Sequence, residues 1–371
     1  MGEKESVDET WKALRSGKHV VCQVAPSVRV SIGELFGLPP GAIVTGKLVA
    51  ALRKLGFAKV FDTDFGADLT IMEEGKELLE RLRKGKPLLS TSCCPAWINF
   101  VERFYPELIP LLSTTKSPQQ MLGAIAKTYY AQKIGLKPQD IAMISIMPCT
   151  SKRMEAARPE MNASGCRDVD LVLTTLEAAA MMKQAGIDLP SLEPEGFDEP
   201  LGTASGAGVI FGTTGGVTEA ALRTACEAYA GGKMPKLEFK EVRGFEAVRE
   251  ATVELDGRKI RVAIVHTLGE ARRILDEVKK GEAPYDFVEV MACLGGCVGG
   301  CGQPVPPAEK RVEVIKARQK AIYAVDASLP VRRSHENPAI KKLYKEFLGE
   351  PGSAKAMKLL HTKATPAKKG A

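Results

Sequence analysis

Three apolar runs in this chain stop at cysteine. The motifs are TSCCPAW at 91–97, MPCTSK at 147–152 and EVMACLGGCVGGCGQP at 289–304. Each closes a strand-like stretch: PLLS at 87–90, IAMISIM at 141–147 and DFVEVMA at 286–292. Thiols at the ends of neighbouring strands converge in space, and four converging thiolates hold an iron–sulfur cluster. The glycines at 295, 296, 299, 300 and 302 let backbone approach a bulky inorganic group and aim N–H donors at its sulfurs. Two other readings stand beside this one. Any single cysteine can be a small buried hydrophobe. A zinc site is the other, although zinc sites usually carry paired CxxC knuckles, and this chain has none.

Nine cysteines in a chain of 371 residues argue against a disulfide framework if the chain is intracellular. An intracellular setting is expected because the start, MGEKESVDET, is acidic and polar and unlike a secretory signal. No apolar run approaches bilayer length, so no membrane insertion is expected. The net charge of +7 lies partly in KAMKLLHTKATPAKKGA at 355–371. That end reads as a solvated basic tail or as a docking surface for an acidic electron carrier. Nucleic acid fits less well, because basic and aromatic residues do not interleave.

Strand-like and helix-like segments alternate along the chain. HVVCQV (19–24), KVFDTD (59–64), LVLTT (171–175) and RVAIVH (261–266) add to the three strands above. Helical spacing runs through 46–56, 69–85 and 97–105. This order predicts an α/β fold of mainly parallel sheets flanked by helices. Ligands in such sheets sit beyond the carboxyl ends of the strands, where APSVR, TSCCP, MPC and MAC all fall. Residues 187–207 read as loop-rich and 225–245 as a surface connection.

The three cysteine motifs, in this order, resemble the signatures of [FeFe]-hydrogenase catalytic domains. So do VFDTDFGADLTIMEE (60–74), KSPQQMLGAIAKTYYAQ (116–132), GAGVIFGTTGGVTEAALR (206–223) and SHENPAIKKLYKEFLGEPG (334–352). The resemblance implies two lobes with the cluster in the cleft between them: an N-terminal extension at 1–17, a catalytic domain at 18–362 and a basic flexible tail at 363–371. It implies an H-cluster, in which a [4Fe–4S] cubane shares a cysteine with a two-iron subcluster bearing CO, cyanide and a dithiolate bridge. Its ligands would be Cys94, Cys149, Cys293 and Cys297, with Cys297 shared. The reaction would be reversible interconversion of H2 with two protons and two electrons.

Further roles follow from the same resemblance. Cys93 would pass protons, continuing through Glu77, Ser113 and Glu74, with Arg81 near the exit. On their own, Glu74, Glu77 and Arg81 read as a charged helix face with a favourable Glu77–Arg81 pair. Lys152 and Ser27 would donate to the two cyanides. Ala25, Pro26, Met147, Pro118, Gln119, Phe211 and Met291 would line the pocket. A ferredoxin or another one-electron carrier and H-cluster maturation proteins are the implied partners. No cysteine-rich run precedes Cys93, so a minimal type without ferredoxin-like domains is expected.

The chain departs from the family pattern at Cys301, where glycine is usual and an inert buried thiol is expected, and at Thr218, where methionine is common. The alternatives within the same fold are a non-catalytic iron–sulfur assembly factor and an H2 sensor. Cys93 counts against the sensor, whose members often lack it.

Overall fold

The structure is a computed structural model that describes residues 3–85, 89–228, 238–255 and 258–367. Two four-stranded sheets organise it. The first has the order β2–β1–β4–β5, from β1 (His19–Val24), β2 (Lys59–Asp62), β4 (Ile141–Met147) and β5 (Leu171–Thr174). All its pairings are parallel. Every residue of β4 is buried, as is all of β1 after His19. This is the burial expected of parallel strands covered on both faces. Register aligns Val24 with both Asp62 and Ile146, so the carboxyl ends of β1, β2 and β4 share one edge.

The second sheet has the order β3–β8–β7–β6, from β3 (Leu89–Ser90), β6 (Val248–Leu255), β7 (Arg258–His266) and β8 (Phe287–Met291). β3 and β7 pair parallel to β8, which brings TSCCP and MAC to the same edge. β6 pairs antiparallel with β7. β6 is not legible in the sequence, because VREATVEL mixes charge with apolar residues and lacks a continuous apolar run. Mainly parallel sheets flanked by helices are what the alternating pattern predicted.

Helices carry the remaining site residues. α1 is Glu3–Leu14 and α2 is Thr45–Lys54. α3, Thr63–Arg83, is capped by the Asp62 carboxylate accepting from Asp64 N at 3.0 Å. α4, Pro95–Phe104, has Cys94 as its N-cap and Pro95 at its first position. α5, Pro118–Ile125, crosses α3 at Gly66, where a Cβ would lie 2.3 Å from Pro118 O. That close approach holds Pro118 and Gln119 beside the strand ends.

The N-terminal extension packs on the fold: Val7 and Thr10 are buried, and Trp11 Nε1 donates to Gln184 Oε1 at 2.9 Å. Two expectations change. The stretch 225–245 is not simply a surface connection. Its start belongs to the helix Gly216–Ala228, residues 229–237 lie outside the described residues, and Phe239 and Val242 are core. The tail is tied down as far as Ala367, since Thr365 N donates to Glu102 Oε1 and Ala367 N to Glu102 O. Residues 368–371 lie outside the described ones.

Candidate metal centre

The carboxyl edges of the two sheets enclose a cavity with about 770 Å³ of atom-free space, its mouth included. β1 contributes Ala25, Pro26 and Ser27, and β4 contributes Met147, Pro148 and Cys149. β3 brings Cys93 and Cys94, while β8 and its loop bring Met291, Cys293 and Cys297. Lys152, Pro118, Gln119 and Phe211 complete the wall. All the residues expected as ligands or lining therefore meet in one place. Cys22, fully buried in β1, does not join them.

The cysteine loop is held rigidly. Gly296 has φ +91°, and a Cβ there would lie 2.6 Å from both Met291 Sδ and Thr214 N. Arg318 Nη1 donates to Val298 O at 2.9 Å. Gln303, which the sequence reading passed over, joins three loops. Its Oε1 accepts from Ser31 at 2.6 Å and Thr175 at 2.7 Å, and its Nε2 donates to Ser27 O at 3.1 Å. Such bonds position a loop without chemistry of their own, so only the adjacency of Gln303 to the glycine-rich run could have signalled it. Thr218 also has a structural task. Its hydroxyl donates to the fully buried Glu289 at 2.9 Å, and its N–H to the same carboxylate at 2.7 Å.

Electrostatics sharpen the picture. The Cys149 thiol is pushed well up, first by the neighbouring Cys301 thiol and then by burial. Cys293 rises for the same reasons. Burial, with Cys94 nearby, pushes Cys297 up to about 12. Burial and Glu74 push Cys93 up. Crowded thiols of this kind cannot all ionise without a cation among them, and metal binding exchanges their protons for that cation.

Lys152 is largely buried. Its Nζ donates to Cys93 O at 2.9 Å and to Glu155 Oε2 at 3.0 Å. The Ser27 hydroxyl and Gln119 Oε1 are buried with no hydrogen-bond partner among the described residues. Orphaned polar atoms, converging thiols and an ammonium in an apolar wall fit a bulky iron–sulfur group with anionic ligands.

Behind Cys93 lies a second set. Glu74, expected after Glu77 and Ser113, instead lies next to Cys93; it is buried, and neither of its oxygens has a hydrogen-bond partner among the described residues. Burial lifts it to about 8, with Glu77 adding to the rise and the Ser113 hydroxyl opposing it. Ser113 donates to Glu77 Oε2 at 3.0 Å, and Arg81 Nη2 lies 3.4 Å from Glu77 Oε1. Arg81 also donates to Pro110 O at 3.0 Å. The sequence reading missed a branch from Glu77. Thr114 Oγ1 donates to it at 3.3 Å and lies 2.8 Å from His361 Nδ1, whose Nε2 is 3.0 Å from Glu73 Oε2. No local motif joins positions 73, 114 and 361, so only the fold reveals it. His335 sits 3.4 Å from Thr224 Oγ1 and 3.4 Å from Glu227.

Residues 18–301 match the family described as iron only hydrogenase large subunit, C-terminal domain, and residues 312–366 match iron hydrogenase small subunit. The NADP-reducing hydrogenase subunit HndD of Solidesulfovibrio fructosivorans is 49% identical over 97% of this chain, which spans 62% of that protein's length. The periplasmic [Fe] hydrogenase large subunit of Nitratidesulfovibrio vulgaris is 50% identical over 81% of the chain and 72% of its own length. Protein NAR1 of Arabidopsis thaliana is 34% identical over 99% of the chain and 82% of its own length. A structure of apo [FeFe]-hydrogenase HydA1 from Chlamydomonas reinhardtii superposes with a TM-score of 0.85 at 43% identity, covering 99% of each chain.

Proposed function

We propose that this chain, which belongs to the iron-only hydrogenase family, catalyses the reversible interconversion of H2 with two protons and two electrons. Cys94, Cys149, Cys293 and Cys297 would hold the cubane, and Cys297 would be shared with a two-iron subcluster carrying CO, cyanide and a dithiolate bridge. When bound, that group supplies the redox chemistry of H2.

The protein's part is to bind, orient and move protons. Cys93, kept protonated by burial and by Glu74, holds a proton at the cavity wall. Glu74, lifted to about 8, can take up and release a proton near neutral pH. Ser113 and Glu77 carry the path outward, and Arg81 fixes Glu77 at its mouth. Lys152, held by Glu155, offers positive charge to an anionic ligand, and Ser27 offers its free hydroxyl. Ala25, Pro26, Met147, Pro118, Phe211 and Met291 keep water out, while Gln119 keeps an acceptor available. Electrons would pass to and from a ferredoxin-like one-electron carrier, and maturation proteins would deliver the two-iron unit. A cytoplasmic location belongs to the same proposal and rests on the sequence, since one relative is named as periplasmic. No described helix is long and apolar enough to cross a membrane.

The carrying observation is Cys93, which shares the cavity with the four candidate ligands and has Glu74 behind it. An assembly factor needs the cubane ligands and not this path. Similarity to the cytosolic Fe-S cluster assembly factor narfl of Danio rerio, 31% identical over 97% of this chain, supports that second reading. The test is H2 evolution from reduced viologen after the two-iron centre has been loaded. Wild-type protein should evolve H2, and Cys93→Ser should lose about 10²–10⁴-fold in rate with unchanged iron content. Fully loaded wild-type protein that evolves none would overturn the hydrogenase reading.

A further inference from the structure

Cys301 is used by neither the ligand set nor the proton path. It was expected to be an inert buried thiol, yet it is exposed, while Cys149 and Cys293 are only partly so. Its place is closely defined. Gly302 N donates to Pro148 O at 2.8 Å, and a Cβ on Gly300 would lie 2.3 Å from that same oxygen. A Cβ on Gly302 would be 3.0 Å from Cys149 N. Residues 300–302 therefore lie directly against the backbone of Pro148 and Cys149. Cys301 Sγ is 3.3 Å from Thr150 Oγ1, and its thiol neighbours those of Cys149 and Cys293. A solvent-accessible sulfur thus sits on a loop packed against one candidate iron ligand and lies near a second.

We propose that Cys301 is a redox-active thiol that forms a disulfide with Cys149 before iron is bound and so blocks cluster uptake. The inference rests on Cys149 being an iron ligand. Two thiols lose two protons and two electrons as the S–S bond forms. The electrons reduce hydrogen peroxide to water, or a small disulfide such as oxidised glutathione to its two thiols. A dithiol reductant returns two electrons and two protons and frees both sulfurs. Cys149 is the partner because its backbone packs on residues 300–302, and exchange between thiols and disulfides depends on such access. With Cys149 tied up, the iron site loses one of its four sulfurs. Oxidation of the empty chain then becomes reversible, holding the ligand in a state that reductant restores rather than leaving it to over-oxidise.

The full-length chain free of iron is treated with oxidised glutathione or hydrogen peroxide and digested without reduction. Part is then reconstituted anaerobically with ferrous iron and sulfide. The expected result is a peptide linking Cys149 to Cys301, a several-fold fall in iron bound per chain, and recovery after dithiothreitol. Cys301→Ser should keep its iron uptake through the same oxidation. Absence of the linked peptide, or equal loss of uptake in Cys301→Ser, overturns the proposal. Failure of the reduced wild-type chain to bind iron overturns the metal site itself, and the disulfide lock with it.

Discussion

At the scale of single residues, Glu74 shows how a helix-surface pattern becomes a buried site. Its neighbours in sequence suggest an exposed charged face, but the fold buries it behind Cys93 and lifts it to about 8. The folded state then binds a proton that the unfolded chain has already released across the window from the ordinary glutamate range to about 8. Stability from this group is present in full below that window and falls as pH rises through it. In Glu74→Gln the decline disappears. Denaturant midpoints measured from about pH 5 to 9 should show the variant gaining on wild type by up to about 1.4 kcal/mol per pH unit, then levelling off. A gap that does not change with pH would contradict the burial of an ionisable carboxyl there.

At the scale of elements, the strand ends were legible and their supports were not. Apolar runs interrupted by Cys-Pro or Pro-Cys mark β3 and β4 and the turns after them, and the Cys94 cap with Pro95 follows from local sequence alone. β6 escaped because charged residues break up the apolar ones on this edge strand, and the helix Gly216–Ala228 gives no local hint of its partners. Arg223 in that helix is fully buried and bonds Asp326 at 2.8 and 2.9 Å and Glu219 at 2.7 Å. Arg332 reaches Asp326 at 2.7 Å, and Arg243 reaches Glu219 at 2.7 Å. The cluster ties Gly216–Ala228 to the helix Arg311–Ser328, which also grips the cysteine loop through Arg318. Removing one partner leaves a buried charge uncompensated. Asp326→Ala should therefore cost about 3–5 kcal/mol by urea denaturation, and a loss below about 1 kcal/mol would show that the cluster contributes little.

Across the whole molecule, the cavity is a junction between two sheets. Cys149 comes from the first, and Cys94, Cys293 and Cys297 come from the second and its loop. The sequence made the convergence of these sulfurs readable because parallel sheets collect their ligands at one edge. It could not show which outer residues complete the path, since Glu73, Thr114 and His361 meet only through tertiary packing. A group bound by both sheets should link their unfolding and favour the native state by mass action. Calorimetry should show the iron-loaded chain melting several degrees above the iron-free chain in one sharper transition. Equal melting temperatures would place the iron elsewhere.

Infrared spectroscopy of the chain matured with its accessory enzymes tests the central claim most directly. The account predicts absorption bands of CO and cyanide that shift when the protein is exposed to H2 or to added CO, and that persist in Cys93→Ser. A matured protein that contains a cubane by electron paramagnetic resonance but shows no diatomic bands would contradict it and leave an iron–sulfur scaffold in its place.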